Sequence, residues 1–373
     1  MFALPGLCLA QVQVTTLVST DLSGQQIGAG SWGIPAVADH GRLVAFESSS
    51  DQVLPGDPLP HLDVFLKNLQ LGTTELVSIA HDGSWPDGPS GAPDMSSDGR
   101  FVVFSSSASN LVPADSNGTG DIFLRDRLLG QTTCVSTSVL GAPKGGAYPR
   151  ISSDGRFVSF HSSSNEIDPN DSNLGSDVFL YDRLLGASTV VSIDSFGMAA
   201  NSWSRYSAVS LDGKHVAFWS DASNLVPLDS NGSPDFFVHD VAMGTTERIN
   251  ISSAGQQAGV WPDTIPFNID LSDDGNIVVF ESRDSNLVQG DTNGVADVFV
   301  RDRAAGTTVR ASVSSEESQM NCCPGGLMHP RVSEDGRYVS FTSSSTNLVP
   351  NDLNGCSDVF VRDLAKGITE LVH

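Results

Sequence analysis

Lysine is nearly missing from this chain of 373 residues: 4 of its 20 basic residues are Lys, set against 44 acids, for a net charge of −24. No basic stripe exists to neutralise phosphates, which argues against nucleic acid as a partner. The same balance disfavours anionic membrane surfaces. No apolar run approaches membrane-spanning length, and no stretch of useful length carries helical periodicity. Five cysteines give a mixed signal about redox environment. Catalytic signatures are also lacking. There is no Gly-x-Ser-x-Gly elbow, no His-x-x-x-His pair and no glycine-rich phosphate loop opening a helix.

What the chain has is a repeat. An Asp-Gly turn, or its His variant, recurs as His40-Gly41, Asp98-Gly99, Asp154-Gly155, Asp212-Gly213, Asp274-Gly275 and Asp335-Gly336. From Gly41 to Gly336 there are 295 residues in five intervals, a mean of 59. Within a block, Phe157-Val158-Ser159-Phe160-His161-Ser162 alternates large apolar and small polar residues, as a half-buried strand does. Asp177 to Asp182 and Ser188 to Ile193 supply two more strands, joined by a Leu-Leu-Gly turn, and Pro149 to Ser152 supplies the first. Short connections make each block an antiparallel four-stranded meander. A lone sheet of this size cannot cover both its faces, so six must stack, and closing them radially leaves few edges. The expected fold is all-β: a six-bladed β-propeller of four-stranded antiparallel blades.

The expected blades cover 31–80, 90–138, 146–194, 204–252, 265–314 and 328–373, in one domain running from residue 11 to 373. A seventh copy of the fourth-strand pattern, Val14-Thr15-Thr16-Leu17-Val18-Ser19, matches Thr73 to Ser78 and Ile368 to Val372, so residues 12–20 are expected to close the ring on the last blade. If the C-terminal copy is spare instead, it can pair with another molecule, and the chain is a monomer or a strand-mediated homo-oligomer. Residues 1–10 look like the tail of a secretory signal, which places the protein outside the cytoplasm, in an extracellular or periplasmic space. Cys356 and the pair Cys322-Cys323 fall in two loops of one blade that share a face, so a disulfide from Cys356 to either is expected there.

Segments such as "SSDGRFVVFSSSASNLVPADSNGTGDIFLRDRLLGQTT" resemble the WD40-like, TolB-type β-propeller repeats of bacterial exported proteins. The residues that carry the resemblance are Ser-x-Asp-Gly-Arg, Ser-Asn-Leu-Val-Pro, Asp-x-Asn-Gly-x-x-Asp and the Arg-Asp…Gly turn. It covers nearly the whole chain and implies the fold. It implies little about activity, because propellers host many functions.

Two sets of residues are candidates for function. The loops Asp115-x-Asn117…Asp121, Asp229-x-Asn231…Asp235, Asp291-x-Asn293…Asp297 and Asp352-x-Asn354…Asp358 place oxygens at positions one, three and seven around a glycine. They have two readings: a hydrogen-bonded turn, or part of a structural calcium site. The second set is aromatic. Trp32, Trp85, Tyr148, Trp203, Tyr206 and Trp261 all precede a turn glycine by 7 to 14 residues, and Asp87 and Asp263 accompany two of them in Trp-Pro-Asp. They belong on one face, near the mouth of the central channel. The expectation is a non-catalytic binding or scaffold module that recognises a protein or glycan through this aromatic and acidic face. The alternatives are a lyase or glycosidase on the same face, and a self-assembling surface protein.

Overall fold

The computed structural model describes residues 17–27, 31–58, 61–113, 115–173, 175–259, 269–321, 328–350 and 352–372. Within them the chain forms six four-stranded antiparallel sheets, each built from consecutive strands in simple meander order. Blade one has strands Ser31–Ala38, Leu43–Ser48, Asp63–Asn68 and Thr73–Leu76. Blades two to six span Ser90–Cys134, Ala147–Val190, Ser204–Arg248, Ile269–Arg310 and Arg331–Val372. This is the expected propeller. The Asp-Gly turns join first to second strands at one end of the ring. The Asp-x-Asn-Gly loops and the interblade connections sit at the other.

The core lies between blades. Each second and third strand stacks a Phe pair at the blade centre, for example Phe104 on Phe123 at 5.9 Å and Phe160 on Phe179 at 5.7 Å. These rings bury against aliphatic side chains of the preceding blade, as Phe104 and Phe123 do against Val64 and Leu66. The Asp-Gly turns are held by their own side chains: Asp154 accepts hydrogen bonds from Ser152 Oγ at 2.6 Å and from Arg156 N at 2.9 Å. Arg156 then pairs with Asp182 at 2.7 Å, tying the turn to the third strand, and blades two and six repeat the device with Arg100–Asp126 and Arg337–Asp363.

After the fourth strands of blades two to five a small hairpin leads to the next blade, marked by the bridges Thr137↔Pro143, Ile193↔Ala199, Ile251↔Gln257 and Val313↔Gln319. Thr20↔Gln26 is the same feature ahead of blade one. There Ile27 packs on Phe46 and Phe65, and Thr20 Oγ1 accepts from Lys67 Nζ at 3.1 Å. Residues 12–16 of the expected closing strand lie outside the described residues. The fourth strand of the sixth sheet is the C-terminal one, Ile368–Val372.

One interblade flank is unlike the other five. Val359 of blade six is 42% exposed, while its counterparts Val64, Ile122, Val178 and Val298 are 0% exposed and Phe236 is 3%. The aspartate before it, Asp358, is likewise less buried than Asp63, Asp121, Asp177, Asp235 and Asp297. The seam between blades six and one is looser than the rest.

Candidate functional site

The first strands of all six blades line a central chamber of about 1030 Å³. Their backbone is not regular. Pairing with the second strand shifts register between Gly91 and Asp94, Ser159 and His161, and Arg205 and Ser207. At the same repeat position Ala92, Tyr148, Tyr206 and His329 adopt φ of 51°, 51°, 50° and 46°, the left-handed region. Non-glycine residues rarely sit there, and each such placement costs about 1–2 kcal/mol. The gain is aim: a β-bulge turns a side chain that would otherwise follow the pleat, and all four of these residues line the chamber. Two buried glutamates support the bulges. Glu47 accepts the Ala92 amide at 2.8 Å and Glu281 accepts the Met328 amide at 3.0 Å, and burial raises both carboxyls above their ordinary range.

Tyr148 and Tyr206 meet on one wall. Tyr148 stacks on His161 with centroids 5.6 Å apart and planes 16° apart, and Tyr206 stands edge-on to Tyr148 at 5.2 Å. Tyr206 also meets Trp219 at 6.4 Å. Burial, then the charge of Arg205, hold the His161 imidazole down to about 4, so it is neutral at pH 7. His161 Nδ1 and Ser105 Oγ are buried with no hydrogen-bond partner among the described residues. Tyr148 is about half exposed, so this wall is open to an incoming ligand.

Toward the Asp-Gly end the chamber narrows to a charged floor. Arg150 Nη2 lies 3.2 Å from Asp270 Oδ1 and its Nε lies 3.6 Å from Asp94 Oδ2. Ser153 Oγ donates to Asp273 across the axis at 2.6 Å, and Ser97 Oγ donates to Glu334. These bonds join non-adjacent blades and cross the channel at this end.

The other aromatic candidates divide. Trp203 is half exposed, with the Arg205 guanidinium 4.5 Å over its ring. Trp85 packs against the Phe46–Phe65 cluster of blade one. Asp87 fastens a loop: Ser109 N donates to it at 2.7 Å and Ser109 Oγ at 2.6 Å, and although burial works the other way, these bonds lower its carboxyl below the usual range. Asn201 and Asn321 make the same fastening in blades four and six. Trp261 and Asp263 lie outside the described residues, as does the side chain of Trp32.

The Asp-x-Asn-Gly loops are hydrogen-bonded units. Asn117, Asn173, Asn231, Asn293 and Asn354 each donate their amide to the aspartate that opens the third strand. That aspartate also takes a hydroxyl or amide from the fourth-strand end: Ser136 to Asp121 at 2.9 Å, Ser192 to Asp177 at 2.6 Å, Asn250 to Asp235 at 2.6 Å and Ser312 to Asp297 at 2.6 Å. In blades four and five an arginine stands between the two loop aspartates. Arg248 is 3.1 Å from both Asp229 and Asp235, and Arg310 is 3.3 Å from Asp291 and 3.1 Å from Asp297. Among the described residues no three His, Cys, Asp or Glu side chains cluster as metal ligands. Asp352 is buried, with Oδ2 unpartnered among the described residues. Cys356 is exposed, and its expected partners Cys322 and Cys323 lie outside the described residues. Burial pushes the Cys134 thiol up to about 12, which removes it as a nucleophile.

The sequence reading did not single out the bulge, the buried glutamates, or the floor residues Asp94, Arg150, Asp270 and Arg331. A signal for the floor existed. The fourth residue before each turn Asp or its His variant runs as Ala36, Asp94, Arg150, Ala208, Asp270 and Arg331, polar in four blades on a face that is otherwise core.

These features define a six-bladed β-propeller of four-stranded antiparallel blades with a central chamber. No family model and no curated protein matches the chain. Among solved structures it is similar to TolB from Acinetobacter baumannii (17% identity, 78% of this chain and 55% of that one, TM-score 0.44). It is similar also to a putative TolB from Agrobacterium tumefaciens (15% identity, 83% and 87%, TM-score 0.47). A third likeness is to the β-propeller domain of the Trilobed protease from Pyrococcus furiosus, a protein described as having an open velcro topology (11% identity, 93% and 84%, TM-score 0.52). The chain thus spans about half the length of the A. baumannii protein. At these identities the likeness concerns the fold. No helix among the described residues is long and apolar enough to cross a membrane.

Proposed function

We propose that this chain is a binding module, working outside the cytoplasm, that takes its ligand into the central chamber from the loop-bearing face. The observation that carries the reading is the row of left-handed bulge residues, Ala92, Tyr148, Tyr206 and His329, all aimed at the chamber. Four strained placements at one level of one cavity are hard to explain by packing alone, since a regular strand would give the same ring of blades without the strain. The Tyr148–His161–Tyr206 wall offers flat apolar faces with polar edges, suited to a sugar ring or a protein side chain. The Asp-x-Asn-Gly loops serve this reading as structural turns.

The test is binding of the purified chain to glycan and peptide arrays, repeated with Tyr148→Ala and with a distant control, Leu185→Ala. Ligands bound by the parent and the control but lost in Tyr148→Ala support a chamber site. Ligands bound equally by all three proteins sink it.

A second reading, self-assembly, is favoured by the exposed flank of blade six, where Val359, Tyr338 and Val372 are 42%, 37% and 48% exposed. Sedimentation over a hundred-fold concentration range decides it. Oligomers that vanish in Val359→Asp support assembly through this flank, and a monomer throughout rules it out.

A further inference from the structure

The floor of the chamber has a near two-fold pattern. At one repeat position, blade by blade, stand Ala36, Asp94, Arg150, Ala208, Asp270 and Arg331: the order Ala, Asp, Arg occurs twice around the ring. Blades three apart face each other across the axis, so the two aspartates oppose one another and so do the two arginines. The backbone respects the pattern. Asp94 Oδ2 accepts the Ile151 amide at 2.9 Å, and Asp270 Oδ2 accepts the Val332 amide at 3.1 Å.

The side chains break it. Arg150 takes both carboxylates, Asp270 at 3.2 Å and Asp94 at 3.6 Å. Its mate Arg331 lines the chamber too, but it makes no direct side-chain hydrogen bond or ion pair with a described residue, and the charges of Asp270 and Asp94 act on it only from farther off. Burial, and then the charge of Arg150, push Arg331 down to about 10. An arginine partly drawn out of water, whose nearest carboxylates are already held by Arg150, is under-compensated, and an anion arriving beside it recovers part of that cost.

We propose that Arg331 is the anchor of the chamber's ligand site and receives the carboxylate of a small organic acid. The guanidinium offers a planar fork that a carboxylate meets with two parallel hydrogen bonds. Asp94 and Asp270 stand beside it and repel a doubly charged phosphate more strongly than a singly charged carboxylate. The rest of the ligand then lies toward the mouth, against Tyr148 and Tyr206 and the unpartnered hydroxyl of Ser105. This inference rests on the chamber being the binding site.

The experiment is ligand-observed NMR with two carboxylates, glucuronate and N-acetylalanine, and their neutral counterparts, methyl glucoside and N-acetylalanine amide. Each is added to the parent chain, to Arg331→Gln and to Tyr148→Ala. At least one carboxylate is expected to bind the parent, its neutral counterpart to bind at least ten-fold more weakly, and Arg331→Gln to lose the preference. Which acid binds separates a sugar acid from a peptide terminus. Neutral probes binding as well as the acids, undiminished binding to Arg331→Gln, or no binding of either acid would overturn the proposal. Neutral binding that is lost in Tyr148→Ala would do so while leaving the chamber reading intact. A melting curve guards against misfolding: Arg331→Gln should melt at or above the parent temperature, since it strands no partner, whereas Arg150→Gln should melt lower, since it strands Asp94 and Asp270. A lowered melting point for Arg331→Gln would mean that its guanidinium is already satisfied, and would count against the site.

Discussion

Gly213 in the turn of blade four sits directly on the Phe157 ring of blade three: a Cβ there would stand 2.5 Å from Phe157 Cγ. Gly99, Gly155, Gly275 and Gly336 meet Leu43, Phe101, His215 and Ile277 in the same way, each from the preceding blade. Gly41, the turn glycine of blade one, meets nothing within 4 Å, and Tyr338, the blade-six residue at the matching position, is 37% exposed. All six glycines have positive φ, so an alanine is strained at any of them. Gly213→Ala carries overpacking against Phe157 in addition, which Gly41→Ala does not. Gly213→Ala should therefore destabilise by about 1–3 kcal/mol more than Gly41→Ala in urea unfolding. Equal losses would mean that the seam between blades six and one is as tight as the others.

Asp171 is 6% exposed, and burial, together with the charge of Asp177, pushes it up to about 6. A carboxyl raised on folding holds its proton more tightly in the folded state. Its contribution is full below the unfolded value, about 4, and is lost as pH rises through 6. Asp171→Asn removes that loss. It should raise stability at pH 7 by on the order of 2 kcal/mol and change little at pH 4. Calcium held by Asp171 and Asp177 would reverse the sign: the substitution would then destabilise at pH 7, and EDTA would lower the parent's melting temperature. Melting curves at both pH values, with and without EDTA, separate the turn from the metal site.

The fold was legible because its signals are local and repeated. Ser-x-Asp-Gly-Arg encodes a turn, its serine cap and the arginine that ties it to the third strand; it is complete in blades two, three and six, and with its variants in the other three it gives the blades. The site was harder for a physical reason. Tyr148-Pro149 and Tyr206-Ser207 look like ordinary extended dipeptides, and nothing in a tyrosine announces a left-handed φ as a glycine or asparagine would. The aromatic criterion found Tyr148 and Tyr206 but grouped them with Trp85, whose ring packs against the core of blade one. The charged floor escaped because Arg150 and Asp270 come from blades that are not neighbours, and only the folded ring brings them together.

Arg310 fills the space between Asp291 and Asp297, where blade three has Val190 and blade two has Cys134. Removing one member of a buried ionic group leaves the others uncompensated, at a cost of about 3–5 kcal/mol. Arg310→Val should destabilise by that order, and adding Asp291→Asn should recover part of it, because one stranded charge is gone. The double-mutant cycle in urea measures the coupling. A neutral Arg310→Val would show that solvent already screens the pair.

His161 supplies the opposite pH signature to Asp171. Its imidazole is held down to about 4, against an ordinary 6.5, so the folded chain keeps it neutral while the unfolded chain takes up a proton. Stability from this residue is complete above pH 6.5 and is lost as pH falls from there toward 4. His161→Phe keeps a ring for Tyr148 to stack on and removes the titration. Relative to its value at pH 7.5, the parent should lose about 2 kcal/mol more than His161→Phe by pH 4.5. NMR titration of the imidazole should show no midpoint above pH 5. A midpoint near 6.5 would mean that water reaches the Nδ1 now lacking a partner, and that the wall behind Tyr148 is wetter than its packing implies.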